Sequence, residues 1–131
     1  MMVDVSELNE RGLRLRKAMF GEEAVEQRMR AVGEFGAPLQ TVINAYIYGD
    51  VWSRGGLSHD VRSLVMLGIT AASNRATEFR VHVKGAIANG CTREQIQDVL
   101  LLVAMYCGVP ASIEAHRIAL EELGEAEPDA R

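Results

Sequence analysis

Along the chain, apolar residues recur at intervals of three and four, and no stretch of strand length alternates strictly between apolar and polar. That periodicity predicts helices throughout. Ser6 is a candidate cap for a first helix running to about Phe20 and stopped by Gly21, with Arg11, Arg14, Arg16 and Lys17 on its outer side. These charges read as a solvated face, with anion binding as the other possibility. A second helix, Glu22 to about Phe35, carries Val25, Met29 and Val32 at helical spacing before Gly36. A third takes Pro38 into its first turn, buries Leu39, Val42, Ile43, Tyr46 and Ile47, and ends at Gly49. The segment GDVWSRGGLSHD (49–60) breaks the pattern with three glycines and reads as a loop. Beyond it, Ser58 can cap a helix to about Ser73, and another covers roughly Thr77 to Asn89. Thr92 and Gln95 form a T-x-x-Q capping box for a helix to Cys107, and Pro110 opens a last one to about Leu123. The expectation is an all-α, single-domain bundle of about six to seven helices over 1–131, with its core at about 13–123 and 124–131 as a flexible tail.

Two of these helices, 60–73 and 92–107, are apolar on nearly every side, which predicts burial in a core or against another subunit. A homo-oligomer is therefore expected. The chain has 131 residues, a formal charge of −4, 48% hydrophobic residues and 5% aromatic, which fits one globular domain packed by aliphatics. An acidic balance disfavours nucleic acid as a partner. The longest apolar runs, 64–72 and 99–111, fall short of a membrane span, so no membrane partner is expected. The N-terminal run MMVDVSELNERGLRLRK has early acids and no apolar stretch, as expected without a signal peptide. Cys91 and Cys107 lie far apart with no CxxC, so neither a disulfide framework nor a zinc knuckle is predicted, and a cytoplasmic location is expected.

Two constellations can carry chemistry. Glu78 and His82 are four apart on one helix, so they share a face; Phe79, Val83 and Ile87 can anchor that helix to a core. A carboxylate beside an imidazole favours the imidazolium and yields a proton donor near neutral pH, although such a pair is also a common surface feature. Tyr48, Asp50, Trp52 and Arg54, with Arg62 shortly after, can form a pocket for a small, flat anion. Equally, Trp52 can plug a core while Arg54 and Arg62 form helix-end ion pairs. No metal site is predicted, because HExxH and paired carboxylate–histidine motifs are missing. His59 and His116 read as structural or solvated, and neither cysteine has an adjacent base in sequence.

The runs YGDVWSRGGLSHDVRSLVMLGI, NRATEFRVHVKGAIANGCTREQI and VLLLVAMYCGVPAS resemble the carboxymuconolactone decarboxylase family. They follow its W-G-x-x-W-x-R-P-G-L, Arg-Ser helix, E-L-x-x-H, N-G-x-T-x-x-E/Q-I and Y-x-G-x-P-A patterns in order, from about Leu13 to Leu123. Tyr48 stands where the pattern has Trp, and Gly55 where it has Pro. The resemblance implies the alkylhydroperoxidase-D-like helical fold, commonly assembled as trimers or hexamers. Peroxidase members of that superfamily carry C-x-x-C-x-x-x-H on this helix; aligned on His82, the cysteine positions are Arg75 and Glu78, so the decarboxylase branch is implied.

That branch implies conversion of γ-carboxymuconolactone to β-ketoadipate enol-lactone and CO2, in protocatechuate breakdown. No cofactor is implied, because the ring alkene and lactone carbonyl accept the electrons of the breaking bond. The resemblance then assigns His82 as proton donor or dienolate stabiliser and Glu78 as the group that orients it and keeps it charged. Arg54 and Arg62 bind carboxylates, and Trp52 and Tyr48 line the pocket for the anionic lactone. Remaining alternatives are a peroxidase, a related lactone isomerase or hydrolase, and a noncatalytic small-ligand binder.

Overall fold

The computed structural model describes residues 4–126, which are all-α: six α-helices, a π-helical segment and a 3-10 turn, with no strand among the described residues. None of these helices is long and apolar enough to cross a membrane. The chain divides into two compact units, Met1–Ser58 and His59–Arg131.

In the first unit, α1 (Val5–Phe20) is capped by Asp4, whose carboxylate accepts from the Ser6 amide at 2.9 Å, so the cap lies two residues before the one predicted. Gly21, at φ 98°, ends α1 and leads directly into α2 (Glu22–Val42). The expected break at Gly36 and the separate helix at Pro38 are replaced by a kink at Gly33 (φ 57°, ψ −156°), a conformation that glycine adopts without a Cβ clash. From Ile43 to Tyr48 the chain widens into a π-helix, closed by the Gly49 amide donating to the Asn44 carbonyl at 2.8 Å.

Packing of α1 on this π segment is a backbone contact. A Cβ on Gly12 would stand 1.6 Å from the Asn44 oxygen, and one on Gly49 would stand 2.1 Å from the Leu8 oxygen. Arg11 Nε adds a 2.8 Å bond to the Gly49 carbonyl. The face turned inward is the opposite of the one predicted. Leu39, Val42, Tyr46 and Ile47 are exposed, whereas Gln40, Asn44, Ala45 and Tyr48 are buried. Arg16, expected on a solvated face, is only 4% exposed and belongs with them. The reason is chemical: the polar stripe of one helix accepts two hydrogen bonds from Nη1 of the buried guanidinium of the other.

The second unit comprises α3 (His59–Ala72), α4 (Ala76–Ala88), α5 (Arg93–Cys107) and α6 (Val109–Glu122). Its core is apolar and includes Leu67, Phe79, Val83, Ile96, Leu100 and Ile118. The predicted capping box of α5 is present: Thr92 Oγ1 accepts from the Gln95 amide at 3.1 Å, and Gln95 Oε1 accepts from the Thr92 amide at 2.9 Å. Gly108, at φ 102°, separates α5 from α6. Within one chain α3 buries one face only: Ser63, Leu67, Thr70 and Ala71 face inward, while Val61, Val65 and Ile69 are exposed. A helix in a four-helix core has one inner face, so the rest of its apolar surface stays open. Ile87, predicted as an anchor, is likewise exposed. The start of the expected tail is held in place, because Glu125 pairs with Arg93 at 2.7 Å and its amide donates to the Leu120 carbonyl; 127–131 lie outside the described residues.

Candidate active site

The predicted site residues fall into two sets. Tyr48, Trp52 and Arg54 belong to the first unit; Arg62, Glu78 and His82 belong to the second.

In the first unit, Tyr48 closes the π segment and Trp52 occupies the 3-10 turn Val51–Ser53. Tyr48 and Trp52, four positions apart across one tight turn, stack their rings, with centroids 5.7 Å apart and planes at 27°. Phe20 meets Tyr48 edge-on, also at 5.7 Å. Ser53 Oγ donates to the Tyr48 carbonyl at 2.8 Å and fixes the turn. Both large rings are buried, in keeping with the core-plug reading of Trp52 as well as with a pocket wall. Arg54 is exposed and forms a fork on Asp50, Nε to Oδ1 at 3.0 Å and Nη2 to Oδ2 at 3.3 Å. That carboxylate already occupies the bidentate edge that a substrate would use.

Sequence reasoning missed the polar groups beneath these rings. Arg16 Nη1 donates to Gln40 Oε1 at 3.0 Å and to Asn44 Oδ1 at 2.7 Å, and the guanidinium carbon lies 5.8 Å from the Tyr48 ring centre. Burial lowers the Arg16 pKa, the Tyr48 charge opposes this, and Arg28 adds to the lowering. The Tyr48 hydroxyl is pushed up to about 12 by burial, against the pull of Arg16 and Arg28, so it is a donor at any physiological pH. Gln40, Asn44 and Tyr48 are spaced four apart, a regularity visible in the sequence and overlooked there in favour of the neighbouring apolar stripe.

In the second unit, Glu78 lies in the first turn of α4 and is exposed. His82, one turn later, is 7% exposed among the core residues of that helix. Its pKa is lowered to about 4 by burial, with the Glu78 charge acting in the opposite sense. The expectation that Glu78 keeps this ring charged near neutral pH is thus corrected: desolvation outweighs an exposed carboxylate, and the imidazole is neutral. Arg62 is half-buried on α3. Near it, Asn89 Nδ2 donates to Ser63 Oγ at 3.0 Å, linking the end of α4 to α3. The Cys91 thiol donates to the Asp60 carbonyl at 3.2 Å, and burial followed by Asp60 pushes it up, away from a reactive thiolate. Among the described residues, no group of three or more His, Cys, Asp or Glu could hold a metal ion.

The sequence pattern that defines the carboxymuconolactone decarboxylase family matches residues 37–121. The chain belongs to that family. It is 39% identical over 108 residues to the nitrosuccinic acid decarboxylase of Metarhizium robertsii, covering 82% of this chain and 76% of the relative. It is 34% identical over 110 residues to the 4-carboxymuconolactone decarboxylase of Acinetobacter baylyi, covering 84% and 82% respectively. Within the carboxymuconolactone decarboxylase family, this chain is an enzyme of the decarboxylase type. Its matched segment runs from the second half of α2 into α6, and so contains all six predicted site residues.

Proposed function

We propose that this protein removes CO2, without a cofactor, from a small acid that carries a second carboxylate, with 4-carboxymuconolactone of aromatic catabolism as the first candidate. The observation that carries this reading is the α4 pair, a buried neutral His82 one turn after Glu78, with Arg75 at the helix N-cap and Glu78 in its first turn where peroxidases have cysteines. In such a lactone the breaking C–C bond sends its electrons through the ring alkene to the lactone oxygen. CO2 leaves, and a proton adds to ring carbon. The protein's task is to stabilise the dienolate oxygen and supply that proton. A neutral His82 offers an N–H to the oxygen, and the arriving anion raises the ring's proton affinity, so proton uptake accompanies substrate binding. Glu78 orients the ring. Arg62 and Arg54 attract carboxylate, and Trp52 and Tyr48 present flat apolar surface.

Nitrosuccinic acid is the second candidate, favoured by the 39% identity to a relative named for it. Its name describes the same chemistry: two carboxylates, one beside a nitro group that accepts electrons. CO2 release from each acid, measured in parallel, distinguishes them; release from neither removes the reading. His82→Ala is expected to lower kcat by about 10²–10⁴-fold, the usual worth of a positioned proton-transfer group. An unchanged rate would remove His82 from the chemistry.

The assembly is part of the proposal. An open groove of about 460 Å³ in the second unit is lined by Val61, Val65, Gly68, Leu102 and Tyr106, among others, with little polar surface. Leu101 and Met105, elsewhere on α5, are also exposed. Apolar surface of this extent on α3 and α5 supports self-association, and the family resemblance makes a trimer or hexamer its expected form. Light scattering on the purified protein tests it, and a monomer at micromolar concentration would refute it.

A further inference from the structure

Arg16 is the one deeply buried cation of the first unit that the proposed reaction leaves unused. Its Nη1 hydrogens go to two neutral amide oxygens, those of Gln40 and Asn44. No carboxylate among the described residues pairs with it, and the other cation acting on it, Arg28, is repulsive. The Nε and Nη2 groups donate to nothing among the described residues, yet neither is sealed from solvent. These two nitrogens form the side-on edge of the guanidinium, a parallel pair of N–H groups matched to the two oxygens of a carboxylate. Burying a cation without a counter-charge costs several kcal/mol, so buried charges are ordinarily paired. Here the chain supplies neutral acceptors on one edge and leaves the other edge for an anion from outside. The adjoining Tyr48, stacked on Trp52, adds a donor hydroxyl and a flat wall.

We propose that Arg16 is a substrate-binding residue whose Nε/Nη2 edge takes the carboxylate that a small dicarboxylic acid retains through decarboxylation. The assignment to substrate rests on the function proposed above; the anion site itself does not. A strong cation suits the retained carboxylate, because holding the departing one would stabilise the ground state and slow its release. Arg54, occupied by Asp50, is the weaker candidate for that role.

Trp52 is the sole tryptophan and lies against Tyr48, so its fluorescence reports occupancy in the full-length protein. The probe is succinate, titrated at constant ionic strength with chloride as control. A saturable change is expected for the wild type, with affinity about tenfold or more weaker in Arg16→Met, the worth of a charge-assisted bidentate contact. Because Arg16→Met can fail to fold, Gln40→Glu is the second variant. It places a carboxylate at the 3.0 Å acceptor position and supplies the missing counter-charge from within. Gln40→Glu should fold, melt no lower than wild type, and bind succinate about tenfold more weakly. With an active substrate, its KM should rise by a similar factor while kcat stays within about threefold. Succinate carries no electron sink, so its binding stands or falls separately from turnover. Wild type without a saturable response, or Gln40→Glu binding like wild type, overturns the proposal. Loss of assembly in Gln40→Glu, with no succinate binding by the assembled wild type, would assign the edge to a carboxylate of a second copy and also overturn it.

Discussion

At the centre of the first unit lie a guanidinium, two amides and a phenol, held between α1 and a π-helical segment; at the same depth in the second lie Leu67, Phe79, Val83, Ile96 and Leu100. An apolar core loses stability in proportion to what is removed from it. A buried polar cluster behaves differently, since each member satisfies another and removing one leaves the rest exposed to the cost of desolvation. The second unit therefore carries stability, and the first gives up some of it to keep a cation inside. That cost is the physical ground on which the anion site proposed at Arg16 rests.

The largest effect is expected where the core is apolar. Phe79→Ala should cost about 3–5 kcal/mol, measured by urea unfolding followed by circular dichroism. A loss below about 1 kcal/mol would show that the second unit does not depend on that packing. Acid tests the one titratable ring buried in this unit. His82 has a folded pKa of about 4 against an ordinary 6.5, so the unfolded chain binds the proton first. The stabilisation is complete above pH 6.5 and is lost as pH falls towards 4, to a total of about 3 kcal/mol. His82→Gln should remove that part of the slope between pH 7 and pH 4, and an unaltered slope would mean the ring is not desolvated.

In the first unit the sharpest constraint is backbone proximity. Gly12→Ala forces a methyl group into the Asn44 carbonyl and should cost about 1–3 kcal/mol, read by Trp52 fluorescence during denaturation. Stability equal to wild type would mean α1 and the π segment can separate freely. The smallest effect is expected at the surface: Arg54→Gln should leave the melting temperature unchanged, since its partner Asp50 is solvated on the same turn. A clear drop in melting temperature would give Arg54 a structural role that its exposure does not predict.

How far the sequence revealed this molecule depends on how local each determinant is. The α5 capping box and the glycine stops at Gly21 and Gly108 act over three or four residues, and all were legible. The period of the segment from Leu39 to Tyr48 was legible as well, but not its phase. Leu39, Val42, Tyr46 and Ile47 form one helical stripe and Gln40, Asn44 and Tyr48 another; apolarity pointed to the first, while a guanidinium 28 positions from Asn44 selected the second. Such a choice is made by tertiary contact, invisible to a moving window. His82 was found by its spacing from Glu78, yet its charge state was misjudged, because the nearby carboxylate is local and the burial that outweighs it comes from the packing of the whole helix. Family resemblance supplied the function class but said nothing of Arg16, which precedes the matched segment.

The two cysteines differ in a way that serves experiment. Cys91 is buried, with its thiol engaged and less acidic than usual, while Cys107 is exposed at the end of α5 beside the apolar groove. A maleimide dye should therefore modify one position per chain without any engineering, and modify it at the surface proposed to meet another copy. The native protein comes with a reporter built in: labelling at Cys107 that slows as concentration rises would time the association of subunits directly.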